Sequence, residues 1–204
     1  MGGNVPMKRG LLLSGGMDSV ALAWMLRPEF AYTVDYGQAA VAGEIRAAST
    51  VAEVIHAEHR IIRADCSSLG SGDMAGTEAS TLAPIPEWWP YRNQLLVTLA
   101  GMRAIADGVG ELQLASVASD GKHADGRADF FRAMDAVMAL QEGGIRIAAP
   151  ALELTSAQLV RNSGIPQEIL AWSHSCHVSE YACGRCRGCS KHAAVMKELG
   201  YGDY

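Results

Sequence analysis

The stretch that most limits how this chain can fold is Ser14-Gly15-Gly16-Met17-Asp18-Ser19, which follows the short apolar run Gly10–Leu13. The run predicts a buried strand, and the apolar residues of Val20–Leu26 predict a helix directly after the loop. Two glycines let the backbone turn tightly and present its N–H groups, and the helix N-terminus adds a partial positive charge. The loop is therefore a candidate cradle for a polyphosphate, with the hydroxyls of Ser14 and Ser19 as further donors. The alternative is a tight strand–helix turn capped by serine and aspartate.

Strands and helices alternate along the rest of the chain. Further strands are predicted over Phe30–Val34, His59–Arg63, Glu111–Val117 and Ile145–Ala149, and further helices over Val41–His56, Gln94–Ala106, Ala128–Leu140, Ser156–Arg161 and Lys191–Leu199. Such alternation predicts right-handed crossovers and a mostly parallel sheet with helices on both faces. The expected fold class is a doubly wound α/β domain, whose ligand site lies beyond the carboxyl ends of the strands.

Composition excludes several classes of protein. The net charge is −5, the pI is about 5.7 and only four lysines occur, so a surface that grips nucleic acid is not expected. No apolar run approaches the ~20 residues that cross a bilayer. The first ten residues lack a signal-peptide pattern. These features predict a cytoplasmic protein with reduced cysteines, acting on a small molecule.

Four of the five cysteines lie close together near the C-terminus, at Cys176, Cys183, Cys186 and Cys189. Cys-x-x-Cys spacing holds two sulfurs at a separation that suits zinc, and four thiolates complete a closed, structural site. Redox chemistry or an iron–sulfur cluster is the alternative. We expect an ATP-binding α/β domain over residues 1–170 and a zinc-binding segment over residues 171–204. The fifth cysteine, Cys66, is expected to be a small buried hydrophobe.

A long stretch rich in Gly, Ser, Thr and Pro, Asp65–Pro90, interrupts the alternation and carries Trp88-Trp89. Loops of this length in compact domains are usually functional or mobile, although a merely solvated connection remains the alternative. The two tryptophans are candidates to cover a site or an interface.

The Ser-Gly-Gly-x-Asp-Ser loop resembles the pyrophosphatase-type loop of the adenine-nucleotide alpha-hydrolase superfamily. It lacks the Gly-x-x-x-x-Gly-Lys-Ser/Thr pattern of P-loops and the Gly-x-Gly-x-x-Gly pattern of dinucleotide folds. The resemblance implies cleavage of ATP between its α and β phosphates, with the loop holding the departing pyrophosphate.

Further motifs narrow the resemblance. These are Asp35-Tyr36-Gly37-Gln38, Tyr91-Arg92-Asn93, the residues Asp120, Asp125 and Arg127, and Trp172-Ser173 ahead of the cysteines. In this order the set is similar to the 7-cyano-7-deazaguanine synthase (QueC) family over nearly the whole chain. That family adenylates 7-carboxy-7-deazaguanine with ATP and magnesium, forms the amide with ammonia, and uses a second ATP to make the nitrile. The resemblance also implies a homodimer.

Residue roles carry over from this resemblance. Val34 and Asp35 are expected to border the adenine and ribose, Arg92 and Asn93 to reach nucleotide or substrate, and Asp125 to accept hydrogen bonds from the guanine-like edge. The implied catalytic residues are Asp18, Arg92, Asp125 and Arg127. The implied nucleotide-binding residues are Ser14, Gly15, Gly16, Met17, Asp18, Ser19, Val34, Asp35, Gln38, Asn93 and Asp120. Asp35 as a turn former and Asn93 as a helix cap are the alternatives.

The sequence departs from the family at three places. Where the family has Tyr-Pro-Asp-Cys-Arg, this chain has His123-Ala124-Asp125-Gly126-Arg127. Where the family has a Thr-Lys pair, with the lysine near the phosphates, this chain has Thr155-Ser156. Candidates to replace the missing lysine are Lys122, Arg127 and Arg161. The first metal ligand of the family falls at His174, whereas the nearest cysteine is Cys176, which we favour.

These departures leave open which amine, ammonia or a protein amine, attacks the activated carboxylate. Relatives in anti-phage systems are thought to attach the deazaguanine to a protein amine rather than to ammonia, and an altered acceptor side suits such a reading. A tRNA-thiolating or lysidine-forming enzyme would normally need an RNA-binding domain or a basic face, and neither is visible. A nucleotide-binding module without turnover is the non-enzymatic alternative.

Overall fold

A five-stranded parallel sheet forms the centre of the chain in the computed structural model, which describes residues 7–202. Its strands, listed in chain order, are β1 (Lys8–Leu12), β2 (Phe30–Asp35), β3 (Glu58–Arg63), β4 (Val109–Gln113) and β5 (Arg146–Ala148). Their order in the sheet is β3-β2-β1-β4-β5, and every neighbouring pair is parallel. Residues 1–6, part of the stretch used to argue for a cytoplasmic protein, and residues 203–204 of the expected zinc segment lie outside the described range.

The α-helices of the described range connect these strands and form the C-terminal part. They are α1 (Met17–Leu26), α2 (Val41–Val54), α3 (Arg92–Asp107), α4 (Ala128–Ala139), α5 (Ser156–Ser163), α6 (Gln167–Leu170) and α7 (Arg187–Leu199). Among residues 7–202, no helix is both long and apolar enough to span a membrane.

Two apolar layers cover opposite faces of the sheet. One contains Leu11 and Ala31 with side chains from α1, α2, α5 and α7, including the fully buried Leu159. The other contains Phe30, Tyr32 and Leu112 with side chains from α3 and α4. Because side chains alternate between the faces of a strand, the apolar runs of β1 and β2 supply both layers. The expected doubly wound α/β fold is confirmed.

The point where the winding reverses lies between β1 and β4. The chain leaves β1 for α1 on one face and leaves β4 for α4 on the other, as their separate apolar layers show. The loops after these two strands therefore diverge and leave a crevice at the carboxyl edge of the sheet. The Ser14–Ser19 loop and the segment carrying Asp120 and Asp125 are those two loops.

Most boundaries differ from the sequence expectation by one to three residues, and two differ by four residues. β4 ends at Gln113 rather than Val117, and a 3₁₀ turn begins at Ala118, whose N–H donates to the Leu154 carbonyl. α7 begins at Arg187 rather than Lys191, because the sulfur of Cys186 accepts the backbone N–H of Cys189 and caps the helix.

The C-terminal residues share a core with the sheet. Leu170, at the end of the expected first unit, belongs to the same apolar cluster as Val195 and Met196 of α7. The division at residues 170 and 171 stays a prediction.

Candidate active site and metal centre

A cavity of about 690 Å³ lies at the crevice between the carboxyl ends of β1 and β4. The phosphate-loop candidates Ser14, Gly16, Asp18 and Ser19 line one side. The opposite side and the rim carry Val34, Gln38, Arg92, Asn93, Asp120 and Asp125. The C-terminal segment supplies further walls. One cavity thus brings together most of the residues that the sequence singled out.

The loop after β1 is held in a tight turn by its own hydroxyls and by α2. Ser19 Oγ donates to the Gly16 carbonyl at 2.9 Å and lies 3.2 Å from Ser14 Oγ. Gly15 has a φ of +77°, and a Cβ there would stand 2.6 Å from the carbonyl oxygen of Glu44. Only glycine fits both the backbone angle and the contact with α2. Gly15 therefore shapes the loop, while its neighbours face the cavity.

Asp18 is the charged group of this loop. Its Oδ2 accepts from Lys191 Nζ at 2.9 Å, and its Oδ1 is buried with no hydrogen-bond partner among the described residues. Lys191 Nζ also lies 3.6 Å from Asp120 Oδ1. Burial lowers the pKa of Lys191, but the carboxylates of Asp18 and Asp120 outweigh it, and the net shift is upward. Lys191 was not predicted to belong to the site, because no local pattern connects a lysine of α7 with a loop near the N-terminus.

Asn93 and Asp125 form a second polar group on the cavity wall. Asn93 Nδ2 donates to the Asp125 carbonyl at 3.0 Å, and the Asn93 N–H lies 3.4 Å from Asp125 Oδ2. Tyr91 precedes them in the left-handed region, at φ 55°. Strained backbone of this kind persists where surrounding contacts impose it, often at functional sites. The turn at Tyr91 sends both Arg92 and Asn93 into the cavity.

The floor of the cavity contains a carboxyl group that the sequence analysis did not place in the site. Glu44 Oε2 accepts from Gln38 Nε2 at 2.7 Å, and Gln38 also bridges the Val34 carbonyl and the Tyr36 N–H. Burial raises the pKa of Glu44 to about 7, against the lowering effects of Gln38 and Arg92. Perturbed carboxyls in clefts are candidate functional groups. The signal was an acidic residue in the first turn of α2, close behind Asp-Tyr-Gly-Gln.

Two expected site residues are directed away from this cavity. Asp35 accepts from the Gly37 N–H at 3.3 Å and has its Oδ2 3.8 Å from Arg63 Nε. This geometry matches its alternative role as a turn former. Arg127 donates from Nε to the Gly121 carbonyl at 3.0 Å and is exposed. Neither side chain lines the cavity in this structure.

Both tryptophans of the long Asp65–Pro90 stretch line the cavity. Trp89 is buried and packs edge-on against Tyr36, with ring centroids 4.8 Å apart. Glu87, the residue before Trp88, forms an ion pair with Arg187 of α7, with 2.8 Å between the nitrogen and the oxygen. Met74 and residues 87–89 of the stretch therefore form part of the cavity wall, whereas residues 76–82 are exposed to solvent.

The four C-terminal cysteines meet at one point. Their sulfurs all lie within 4.8 Å of one another, with the pairs Cys183–Cys189 and Cys176–Cys186 each at 3.9 Å. A tetrahedron with Zn–S bonds of ~2.3 Å has sulfur–sulfur edges of ~3.8 Å, so this cluster fits a zinc ion. Backbone N–H groups of Arg185 and Cys186 lower the pKa of Cys183 to about 6, which favours the thiolate that binds metal.

His174 lies outside this cluster. Its Nε2 is 3.0 Å from the Ser179 carbonyl, and its backbone N–H donates to the Gly15 carbonyl at 2.8 Å. Cys176, the residue favoured from the sequence, is the fourth member of the cluster. His174 instead connects the C-terminal segment to the loop after β1.

The protein is thus of the doubly wound α/β class, with a ligand-sized cavity at the switch point of its parallel sheet and a four-cysteine cluster beside it. The family model described as "Queuosine biosynthesis protein QueC" matches residues 10–200. The chain belongs to the QueC family and is an enzyme of that type.

Curated relatives agree over nearly the full length. A protein of Methanosarcina barkeri named 7-cyano-7-deazaguanine synthase is 31% identical over 97% of this chain and 96% of its own length. Proteins with the same name from Methanosarcina mazei (29% identical, 97% of this chain, 96% of the relative) and Stutzerimonas stutzeri (31% identical, 96% and 96%) are also similar.

Proposed function

We propose that this enzyme converts 7-carboxy-7-deazaguanine to 7-cyano-7-deazaguanine with ATP and ammonia. One observation carries the proposal: the loop with Ser14, Asp18 and Ser19 and the pair Asn93–Asp125 open onto the same cavity. Its volume of about 690 Å³ is of the size that small-molecule and cofactor sites have. A nucleotide bound at the loop and a base bound at Asp125 would thus be neighbours.

The first half of the reaction is an adenylation. A carboxylate oxygen of the substrate attacks the α-phosphorus of ATP, the bond from that phosphorus to the bridging oxygen breaks, and pyrophosphate leaves. The N–H groups of the loop and the hydroxyls of Ser14 and Ser19 are suited to hold pyrophosphate. The buried, unpaired Oδ1 of Asp18 is a candidate oxygen ligand for the magnesium that accompanies ATP.

The second half consumes ammonia and another ATP. Ammonia attacks the activated carbonyl carbon, AMP leaves, and a proton is released to give the amide. The amide oxygen then takes the adenylyl group of the second ATP, releasing pyrophosphate and a proton. Loss of AMP and one more proton produces the nitrile. Asp125, whose carboxylate can accept two N–H groups side by side, would hold the base through both halves.

The zinc ion is proposed to be structural. Four thiolate ligands from Cys176, Cys183, Cys186 and Cys189 close the coordination shell and leave no position for a substrate. The ion would hold the segment that carries Cys176 against α7. These are the same elements that form one wall of the cavity.

Pyrophosphate release tests the proposal. The purified, zinc-loaded protein is given ATP, magnesium and ammonium, with either 7-carboxy-7-deazaguanine or 7-deazaguanine, which lacks the carboxylate. Release should require the acid, and mass spectrometry should find the nitrile. Release that ignores the acid, or none in a folded protein, would contradict the proposal. A peptide amine in place of ammonium tests the conjugating alternative.

Assembly and location stay predictions. A homodimer is expected from the family resemblance. Exposed apolar side chains lie on α3 (Met102, Ile105), on α4 (Val137) and directly after α4 (Leu140). Light scattering at micromolar concentration measures the oligomeric state directly, and fractionation of the source cells tests the expected cytoplasmic location.

A further inference from the structure

Lys191 reaches the loop after β1 from the opposite end of the chain. It belongs to α7, lines the cavity, and places its Nζ 2.9 Å from Asp18 Oδ2 and 3.6 Å from Asp120 Oδ1. Among the ion pairs of the described residues, Lys191 is the partner of Asp18. Its side chain is 42% exposed, so it can be reached from the cavity.

The position where the resemblance leads one to expect a phosphate lysine has none. Ser156 stands there, is buried, and has its Oγ without a hydrogen-bond partner among the described residues. Two of the replacements considered from the sequence point elsewhere. Arg127 donates to the Gly121 carbonyl, and Arg161 donates to the Glu198 carbonyl at 2.9 Å. Lys122 does line the cavity and is the remaining competitor.

The carboxylates at this end of the cavity would repel a polyphosphate unless cations, namely magnesium and Lys191, offset their charge. Asp18 and Asp120 place two carboxylates beside the loop, and a polyphosphate there would meet like charges. An ammonium has three N–H donors, and the bond to Asp18 occupies one of them. The others remain for a ligand next to the hydroxyls of Ser14 and Ser19.

We infer that Lys191 binds the pyrophosphate portion of ATP, in the place of the lysine that this chain lacks at Ser156. The inference rests on the proposed function, since it concerns the same nucleotide site. It also gives the C-terminal segment a part in substrate binding. Lys191 lies two residues after the cluster member Cys189, so the helix that carries the metal also carries the cation.

Calorimetric titration of the zinc-loaded protein tests this inference, with inorganic pyrophosphate, ATP and adenosine as separate ligands. Lys191→Gln should weaken pyrophosphate and ATP by roughly 10- to 100-fold, the range for one lost charged hydrogen bond. Adenosine should bind as in the wild type. Lys191→Arg should recover most of the loss. Lys197→Gln, on the exposed side of the same helix, is the matched control and should change nothing.

The outcomes separate the inference from the proposed function. A wild type that binds neither pyrophosphate nor ATP would overturn both. A wild type that binds them, with Lys191→Gln folded and unchanged in affinity, would overturn the inference alone. A loss confined to Lys122→Gln would assign the role to Lys122 and also overturn it.

A second measurement avoids substitutions, in case Lys191→Gln loses zinc. Acetylation of the wild-type lysines is followed by peptide mass spectrometry, with and without saturating pyrophosphate. Pyrophosphate should protect Lys191 severalfold and leave Lys197 unaffected. Equal acetylation of Lys191 in both samples would contradict direct contact.

Discussion

The backbone N–H of His174 donates to the carbonyl of Gly15 at 2.8 Å, joining the start of the metal-binding segment to the loop after β1. The same segment packs closely on α2, where a Cβ at Gly43 would stand 2.6 Å from His174 Nε2. The segment that leads into the cysteine cluster is thus in direct contact with the loop after β1. Disorder of the cysteine cluster should therefore also disturb the loop after β1.

Loss of the metal should therefore weaken nucleotide binding as well as stability. Cys186→Ser should remove the single zinc expected per chain, lower the melting temperature by roughly 5–15 °C and raise the dissociation constant for ATP. Elemental analysis, calorimetry and titration measure the three effects. Cys66→Ser, outside the cluster, is the control. Iron in the wild type, or full ATP affinity in zinc-free protein, would contradict the prediction.

Asp18 and Ser14 should be required for pyrophosphate release. Asp18→Ala removes the loop's carboxylate, and Ser14→Ala removes a hydroxyl that faces the cavity. Each should lower release by at least about 100-fold, the scale of one lost transition-state contact, with the circular dichroism spectrum unchanged. Asp129→Ala, an exposed carboxylate of α4, should keep wild-type rates. A folded Asp18→Ala protein with normal turnover would remove the loop from the mechanism.

Asp125 should be required for tight binding of the deazaguanine acid but not for binding of ATP. When a ligand lacks the matching hydrogen-bonding group, a buried polar group of the site stays unpaired, and the preference for the correct ligand can reach ~10⁴. Asp125→Asn keeps an oxygen for the Asn93 N–H but turns one acceptor into a donor, so the acid should bind at least 100-fold more weakly. ATP affinity should change less than threefold. Separate titrations measure both, and normal turnover of the acid would remove the main support for this role.

Glu44 should make stability fall with rising pH. Its pKa lies at about 7 in the fold against 4.5 in a solvated chain, so the folded state binds this proton more tightly. The stability that the protonated Glu44 contributes to the fold is fully present below pH 4.5 and is lost as the pH rises through about 7. Glu44→Gln should therefore be more stable than the wild type above pH 7, by roughly 1–3 kcal/mol, and similar to it near pH 4.5.

Urea denaturation at the two pH values measures this difference. Glu142→Gln changes an exposed carboxyl and should show no such crossover. Parallel pH profiles of the wild type and Glu44→Gln would show that the carboxyl is already hydrated in the folded protein. Arg92 and Asp35, the charged groups that act on Glu44, are unchanged in both proteins.

Local sequence determined the elements and their order in this protein. Short apolar runs such as Phe30–Val34 predict buried strands, and the spacing of apolar residues in Val41–His56 predicts a helix with one apolar face. β2 and α2 were therefore predictable within a few residues. The loop after β1 was equally predictable, because its turn needs a glycine at Gly15. The cysteine spacing predicted the four-cysteine cluster for a similar reason, since short turns bring Cys183, Cys186 and Cys189 together.

Only the tertiary structure decided which of these residues share a cavity. Asp35 turns to Arg63 on the neighbouring strand and leaves the cavity, whereas Glu44 enters it from α2. The pairing of Lys191 with Asp18 joins residues 173 positions apart in the chain. No propensity or spacing encodes such a contact. It follows from how α7 packs beside α5 and the loop, and that packing depends on the apolar surfaces of the whole chain, with Met196 and Leu159 buried in one core.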